Sequence, residues 1–485
     1  MGYRTTHGRA AHARRTPSRT RRIWLTVGAV VLSGTGAMTP AAAAPHGAAP
    51  AADHDGTADL VAATPRADQA KGALTVLPGS PGGPAAGSRK TLTQASPGVP
   101  GASEPGDEWA AATAWGDLNG DGHDDLVIGA PGEDDTAGHA DRGAVTMLYG
   151  PRFASGTDLQ LSEDFAYTGA RFGSALAVGD FNADGKADVF TVATGTGGSW
   201  AARFSAGHET AGTLTSAAGA LAHPDAASGD FNHDGYADVA VSYLDPAGQG
   251  HVLWFKGTRS GLSRVGQLPL KGGRSLAAGD VNGDGHDDLV IGQPYTAESG
   301  AHPGGQVTVV NGGPGGLTAT GATTVHQATP GVPGAAEAGD AMGWSVAAAD
   351  VDGDGRADVL TGAPGEDVTR AGAPRVNAGT SLLLKGSPTG LTGTGALAVS
   401  QDEPDVPGVT ESGDRLGSAV ALADFDGNGR PDLAIGAEGE DQGAGTVLQL
   451  DTAKDGTVVR TSGVLYGKTQ LGTPAGAHVG ESLTP

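Results

Sequence analysis

Beyond residue 44 the chain is built from short apolar runs separated by turn-forming residues. One kind of run alternates small and apolar side chains, as in Ser174, Ala175, Leu176, Ala177 and Val178. Another is continuous, as in Leu126, Val127 and Ile128 or Leu289, Val290 and Ile291. Runs this short, bounded by Gly, Pro, Asn and Asp, predict strands. A third run follows at 144–149, 306–310, 380–384 and 446–450, and a glycine turn usually leads into a fourth. Four short strands per repeated unit predict an all-β fold of four-stranded antiparallel blades, the arithmetic of a β-propeller.

The turn between the first and second run carries the signature D-x-[DN]-x-[DN]-G-x-x-D. Six close copies begin at Asp117, Asp180, Asp230, Asp280, Asp350 and Asp424. A degenerate seventh places Asp53, Asp55, Gly56 and Asp59 at its third, fifth, sixth and ninth positions, with Ala51 at the first. Successive copies start 50 to 74 residues apart. Three or four carboxylates within nine residues repel one another unless a cation lies between them. Positions 1, 3, 5 and 9 offer side-chain oxygens, position 7 offers a backbone carbonyl, and Gly at position 6 permits the sharp turn, a donor set suited to calcium.

The expected calcium ligands are therefore Asp117, Asn119, Asp121, His123 and Asp125; Asp180, Asn182, Asp184, Lys186 and Asp188; Asp230, Asn232, Asp234, Tyr236 and Asp238; Asp280, Asn282, Asp284, His286 and Asp288; Asp350, Asp352, Asp354, Arg356 and Asp358; and Asp424, Asp426, Asn428, Arg430 and Asp432. An EF-hand is excluded, because position 12 is Ile128, Thr191, Val241, Ile291, Thr361 or Ile435 where that motif needs a bidentate Glu. With four acids, loop 350–358 ranks as the tightest; loop 53–59 ranks as the weakest.

Composition changes the picture twice. There are 84 glycines and 29 prolines, and Leu, Ile, Val and Phe together make up less than about a fifth of the chain, a profile that without a repeat predicts disorder. A core so poor in large apolar groups gives bound metal a structural role, since an ion that binds only the folded loops adds its binding free energy to folding. There is no Cys, which excludes disulfides, thiol nucleophiles and Cys-ligated zinc. Residues 1–44 hold seven arginines and no acid, then an apolar run from Ile23 to Val31 and a small-residue stretch ending at Ala41, Ala42, Ala43 and Ala44. This predicts an export signal with a twin-arginine-like flavour, too short to span a bilayer. The remaining chain, 45–485, is strongly acidic, so nucleic acid and anionic membranes are excluded as partners.

The pair Phe172-Gly173 before an acidic loop, and Gly129-Ala130-Pro131 and Gly362-Ala363-Pro364 after one, resemble the FG-GAP repeats of the integrin alpha-chain head. Met342-Gly343 and Leu416-Gly417 are near variants; Trp109-Ala110 and the segments before Asp230 and Asp280 depart from it. The resemblance implies a seven-bladed propeller with calcium on some hairpins between the first two strands, in a secreted bacterial protein. The first copy has no good strand before it, while residues 476–483 resemble one, so the C-terminus is expected to complete the first blade.

A second acidic set falls on the opposite face. The turns at Glu133, Asp134 and Asp135, at Glu366 and Asp367, and at Glu440 and Asp441 meet inter-blade insertions carrying Glu104 with Asp107, Glu337 with Asp340, and Glu411 with Asp414. These read as solvated turns, or as a site for further cations or a basic partner. Among the tryptophans, Trp200 beside Gly198 and Ser199 is the candidate surface platform. The reading that follows is a secreted, monomeric, non-catalytic calcium-binding scaffold for an extracellular protein or glycan. The alternative is a propeller glycosidase or phosphodiesterase using the acidic face, since paired carboxylates suit acid–base chemistry.

Overall fold

The computed structural model describes residues 53, 55–159, 166–473 and 476–485. The expected export signal and Ala51 lie outside the described residues. Seven four-stranded antiparallel sheets form the blades of a β-propeller. Blade 2 is typical, running outward through Ala112–Gly116, Asp125–Ala130, Ala144–Leu148 and Gly156–Asp158. The inner strands of blades 3 to 7 are Ala175–Gly179, Ala222–Gly229, Ser275–Gly279, Val346–Ala349 and Leu416–Ala423. Blade 6 adds a small hairpin, Val368–Arg370 with Ala373–Arg375, between its second and third strands.

Blade 1 is closed as the sequence predicts. Its inner strand is the C-terminal Ser482–Thr484, which pairs antiparallel with Leu60–Ala63 through Val61 opposite Thr484 and Ala63 opposite Ser482. Thr484 also meets Thr113 of blade 2, hydroxyl to hydroxyl at 2.5 Å.

The core is divided rather than central. Seven apolar clusters fill the gaps between neighbouring blades, one per gap, such as Val61, Leu74, Trp115 and Ile128 between blades 1 and 2. Inner strands converge on the axis, which selects small side chains there: Ala112, Ala114, Ala175, Ala177, Ala277, Ala419 and Ala421 are all buried. Alanine therefore supplies much of the buried surface, which is how a chain poor in large aliphatics still forms a packed interior.

The FG-GAP pattern is a lock between blades. A β-carbon on Gly129 would lie 2.1 Å from the Gly173 carbonyl oxygen, and one on Gly362 would lie 1.9 Å from that of Gly417. Only glycine allows these backbones to approach so closely. Where blade 5 meets blade 4 without an FG pair, side chains add to the close glycine contacts. Buried Asp225 accepts the Leu276 N–H at 2.7 Å, and Ser242 donates to the Gly273 carbonyl at 2.6 Å.

Candidate functional site: acidic loops and the opposite rim

All six acidic loops share one geometry. Asp117 at position 1 accepts the N–H groups of Gly120, Asp121 and Gly122 at 2.6–3.1 Å, and Asp121 at position 5 accepts that of His123. Asp180, Asp230, Asp280, Asp350 and Asp424 repeat the bonds from positions 5 and 6, and Asp280 and Asp350 also that from position 4. Position 9 is different, because its carboxylate is buried and ties the loop to the far end of the third strand. Asp125 accepts Leu118 N–H and Gly150 N–H, and Asp188, Asp238, Asp288, Asp358 and Asp432 accept the corresponding N–H groups of Ser205, Gly257, Gly312, Gly386 and Thr452.

Burial, helped in most of these loops by neighbouring aspartates, raises the position 9 carboxyls, to about 6 at Asp125 and Asp358, about 7 at Asp188, Asp238 and Asp288, and about 8 at Asp432. Carboxylates held this way are a ready set of hard oxygen donors. Among the described residues, oxygens of Asp350, Asp352 and Asp354 converge within 4.8 Å of one another, and so do those of Asp424, Asp426 and Asp432. The Oδ1 atoms of Asn182 at position 3 and Asn428 at position 5 are buried and accept no hydrogen bond. Orphaned amide oxygens inside carboxylate loops fit a bound cation. Side chains at position 7 (His123, Lys186, Tyr236, His286, Arg356 and Arg430) matter differently, since only their carbonyls are expected to face an ion. In the degenerate copy, Asp59 is buried and accepts the Gly79 N–H, while Asp53 is exposed.

On the opposite face, the insertions and the acidic turns do meet. Asp107, Asp340 and Asp414 are buried and each caps its own insertion, accepting the N–H of Glu104, Glu337 or Glu411 at 2.5 Å. Three glutamines that sequence reasoning missed complete the arrangement. Gln94, Gln327 and Gln401 donate to Glu133, Glu366 and Glu440 at 2.6, 2.7 and 3.0 Å. Each pair spans the same 39 residues, so the common spacing of Gln and Glu was the available signal. Burial pushes the three glutamates up to about 7.

The rim of the central axis on this face is built by residues flanking the FG positions. Arg171 pairs with Glu108, Arg66 with Glu438 and Glu481, Arg415 with Glu438, and Arg274 with Glu298. Trp344 sits between Arg274 and Arg415, whose guanidinium carbons lie 5.5 and 5.6 Å from its ring, with Tyr295 edge-on at 6.2 Å. Glu108, Arg171, Ala341, Arg415 and His478, each one residue before an FG position, all have left-handed backbone, with φ of 51°, 57°, 60°, 58° and 55°. Trp200, expected as a surface platform, is instead buried, stacked on Phe190 at 5.8 Å and packed on Phe255 at 4.7 Å. Strand Ser199–Arg203 is the third of blade 3, and its inward face fills the gap to blade 4. Trp344 is the half-exposed tryptophan of the rim.

Repeated blades, acidic hairpins and glycine locks define an FG-GAP propeller. Residues 109–148, 272–310, 342–384 and 416–448 match the FG-GAP repeat family, and 180–241 match the FG-GAP-like repeat. The chain is an FG-GAP β-propeller protein. Among curated proteins it resembles phosphatidylinositol-glycan-specific phospholipase D of Homo sapiens, 45% identical over 97 residues covering 18% of this chain and 11% of that protein. The Mus musculus protein of the same name is 43% identical over 94 residues, again 18% and 11%. The matched segment is thus about a tenth of those relatives' length. Among solved structures, the BP39L lectin from Burkholderia pseudomallei has a TM-score of 0.43 at 17% identity, covering 81% of this chain and 94% of that one. A chain of a nidogen/laminin complex has a TM-score of 0.33 at 10% identity, covering 70% and 94%.

Proposed function

We propose that this protein is a secreted, calcium-stabilised, non-catalytic propeller that binds an extracellular protein or glycan at the rim opposite its acidic hairpins. The observation that carries the reading is the Trp344 platform between Arg274 and Arg415. A half-exposed indole with an edge-on tyrosine suits a sugar face or an apolar side chain, and the flanking guanidinium groups suit carboxylate or carbonyl oxygens. Five non-glycine residues in left-handed conformation around the same rim support it, since such strain costs of order 1–3 kcal/mol each and gathers at binding sites. No described helix is long and apolar enough to cross a membrane.

In this reading Asp117 to Asp125 and the equivalent loops hold calcium, which supplies the positive charge that lets their carboxylates stay ionised within one turn. The test is a glycan array and an extracellular-matrix protein panel, probed in calcium with the native chain and with Trp344→Ala and Arg415→Ala. Loss of a binder in both variants, with unchanged melting, supports the rim. A binder retained by both places recognition elsewhere. Turnover of glycosides or phosphodiesters in the same samples, abolished by one carboxylate substitution, favours the hydrolase alternative.

A further inference from the structure

In blades 2 to 7 the end of the third strand lies beside the acidic loop of the same blade, because an N–H at or just beyond that end reaches the position 9 carboxylate. The residue just before that N–H holds the equivalent place in each blade. It is Tyr149 in blade 2, Phe204 in blade 3, Lys256 in blade 4, Asn311 in blade 5, Lys385 in blade 6 and Asp451 in blade 7. Two blades thus carry a cation at this position and one carries a further acid.

In blade 6 the lysine goes into the cluster. Lys385 Nζ lies 2.9 Å from Asp352 and 2.9 Å from buried Asp358, at positions 3 and 9. Arg356 pairs with Asp354 at position 5, and the Arg430 guanidinium lies against Gly353. In blade 4 the contact is partial, since Lys256 meets Asp234 alone at 2.9 Å and is 40% exposed. In blade 7 no cationic side chain meets the ligand carboxylates of the loop among the described residues. Asp451 stands beside Thr452, whose N–H reaches Asp432 at 2.7 Å, and one of its carboxylate oxygens accepts from the Gln449 amide at 2.6 Å, while Arg430 turns away to donate to the Lys454 carbonyl at 3.1 Å.

We propose that Lys385 is a tethered counter-ion that takes the place of calcium in blade 6, and that blade 7, with Asp451 at the same position, is the strongest calcium site. This rests on the calcium reading above and reverses the order that counting acids in each loop predicts. The physical reason is that an ammonium fixed to the scaffold loses little entropy on pairing and neutralises the carboxylates that an ion needs. Blade 6 then folds without metal, while the loops of blades 2, 3, 5 and 7 depend on it.

The test is diffraction from crystals of the full chain grown in calcium, together with calorimetric calcium titration of the native protein, Lys385→Met and Asp451→Asn. Ions in the loop of blade 7 but none between Asp352 and Asp358 are expected in the native protein. Lys385→Met should bind about one more calcium per chain and melt lower in excess chelator, with calcium restoring the midpoint. Asp451→Asn should weaken the strongest step by about tenfold. An ion in loop 350–358 of the native protein, with Lys385 swung away, overturns the proposal and leaves the calcium reading standing. No ion in any loop overturns both. The native crystals decide the matter even where Lys385→Met fails to fold.

Discussion

Removing residues 476–485 takes away the inner strand of blade 1 and with it the joint between the two ends of the chain. Val479 and Leu483 are each 1% exposed, and returning an aliphatic side chain of that size to water costs about 1.5–3 kcal/mol. The strand also pairs with residues 61–63, its Gly480 carbonyl accepts from Ser418 at 2.8 Å, and Thr484 bonds Thr113. Each such bond contributes about 1 kcal/mol. Arg66 keeps Glu438 but loses buried Glu481. Together these approach about 10 kcal/mol, which lies inside the 5–15 kcal/mol that holds an ordinary domain folded. The truncated chain is therefore expected to lose its cooperative transition at 25 °C, followed by tryptophan fluorescence and circular dichroism in urea. A synthetic peptide of residues 476–485 added in trans should restore part of it. Thr484→Val, which removes only the hydroxyl pair, should cost about 1 kcal/mol. A truncated chain that melts cooperatively at the native midpoint would refute the closure argument.

Three further outcomes follow from buried acids. The position 9 carboxyls have folded pKa values raised to about 6–8, so the folded state holds their protons more tightly than the unfolded state does. In chelator, stability should fall as pH rises from about 4 towards about 8, each group contributing at most roughly 1.4 kcal/mol for every pH unit between its unfolded and folded values. Calcium should remove most of that slope; a chelated protein that melts equally well at pH 5 and pH 8 contradicts it. Glu133→Gln deletes a carboxyl raised to about 7 beneath its insertion, so its urea midpoint should exceed the native one at pH 8.5 and match it at pH 5.5. Gln94→Leu, which strips that carboxylate of its donor, should cost about 1–3 kcal/mol of stability at pH 8.5, and equal losses at both pH values would point to packing alone.

What could be read along the chain was local or strictly repeated. Six loops sharing one spacing, the runs flanking them and the small-residue strand at 476–483 announce blades, hairpins and closure, because a blade is a single supersecondary unit whose turns are encoded by Gly and Asx at fixed offsets. The same regularity concealed differences. Trp200 looked exposed beside glycine, yet the gap between blades 3 and 4 is wide enough at its third strand to take the ring.

By itself, then, the sequence determined that this is an array of seven repeated units with acidic loops on one face and acidic turns on the other, since each of those properties is written within a short stretch of consecutive residues. Only the tertiary structure decided that a lysine enters the loop of blade 6, because residue 385 ends the strand paired with the one that leaves that loop. The rim was decided there too. Arg274, Trp344 and Arg415 are each separated by about 70 residues and become neighbours only because the inner strands of successive blades converge on one axis.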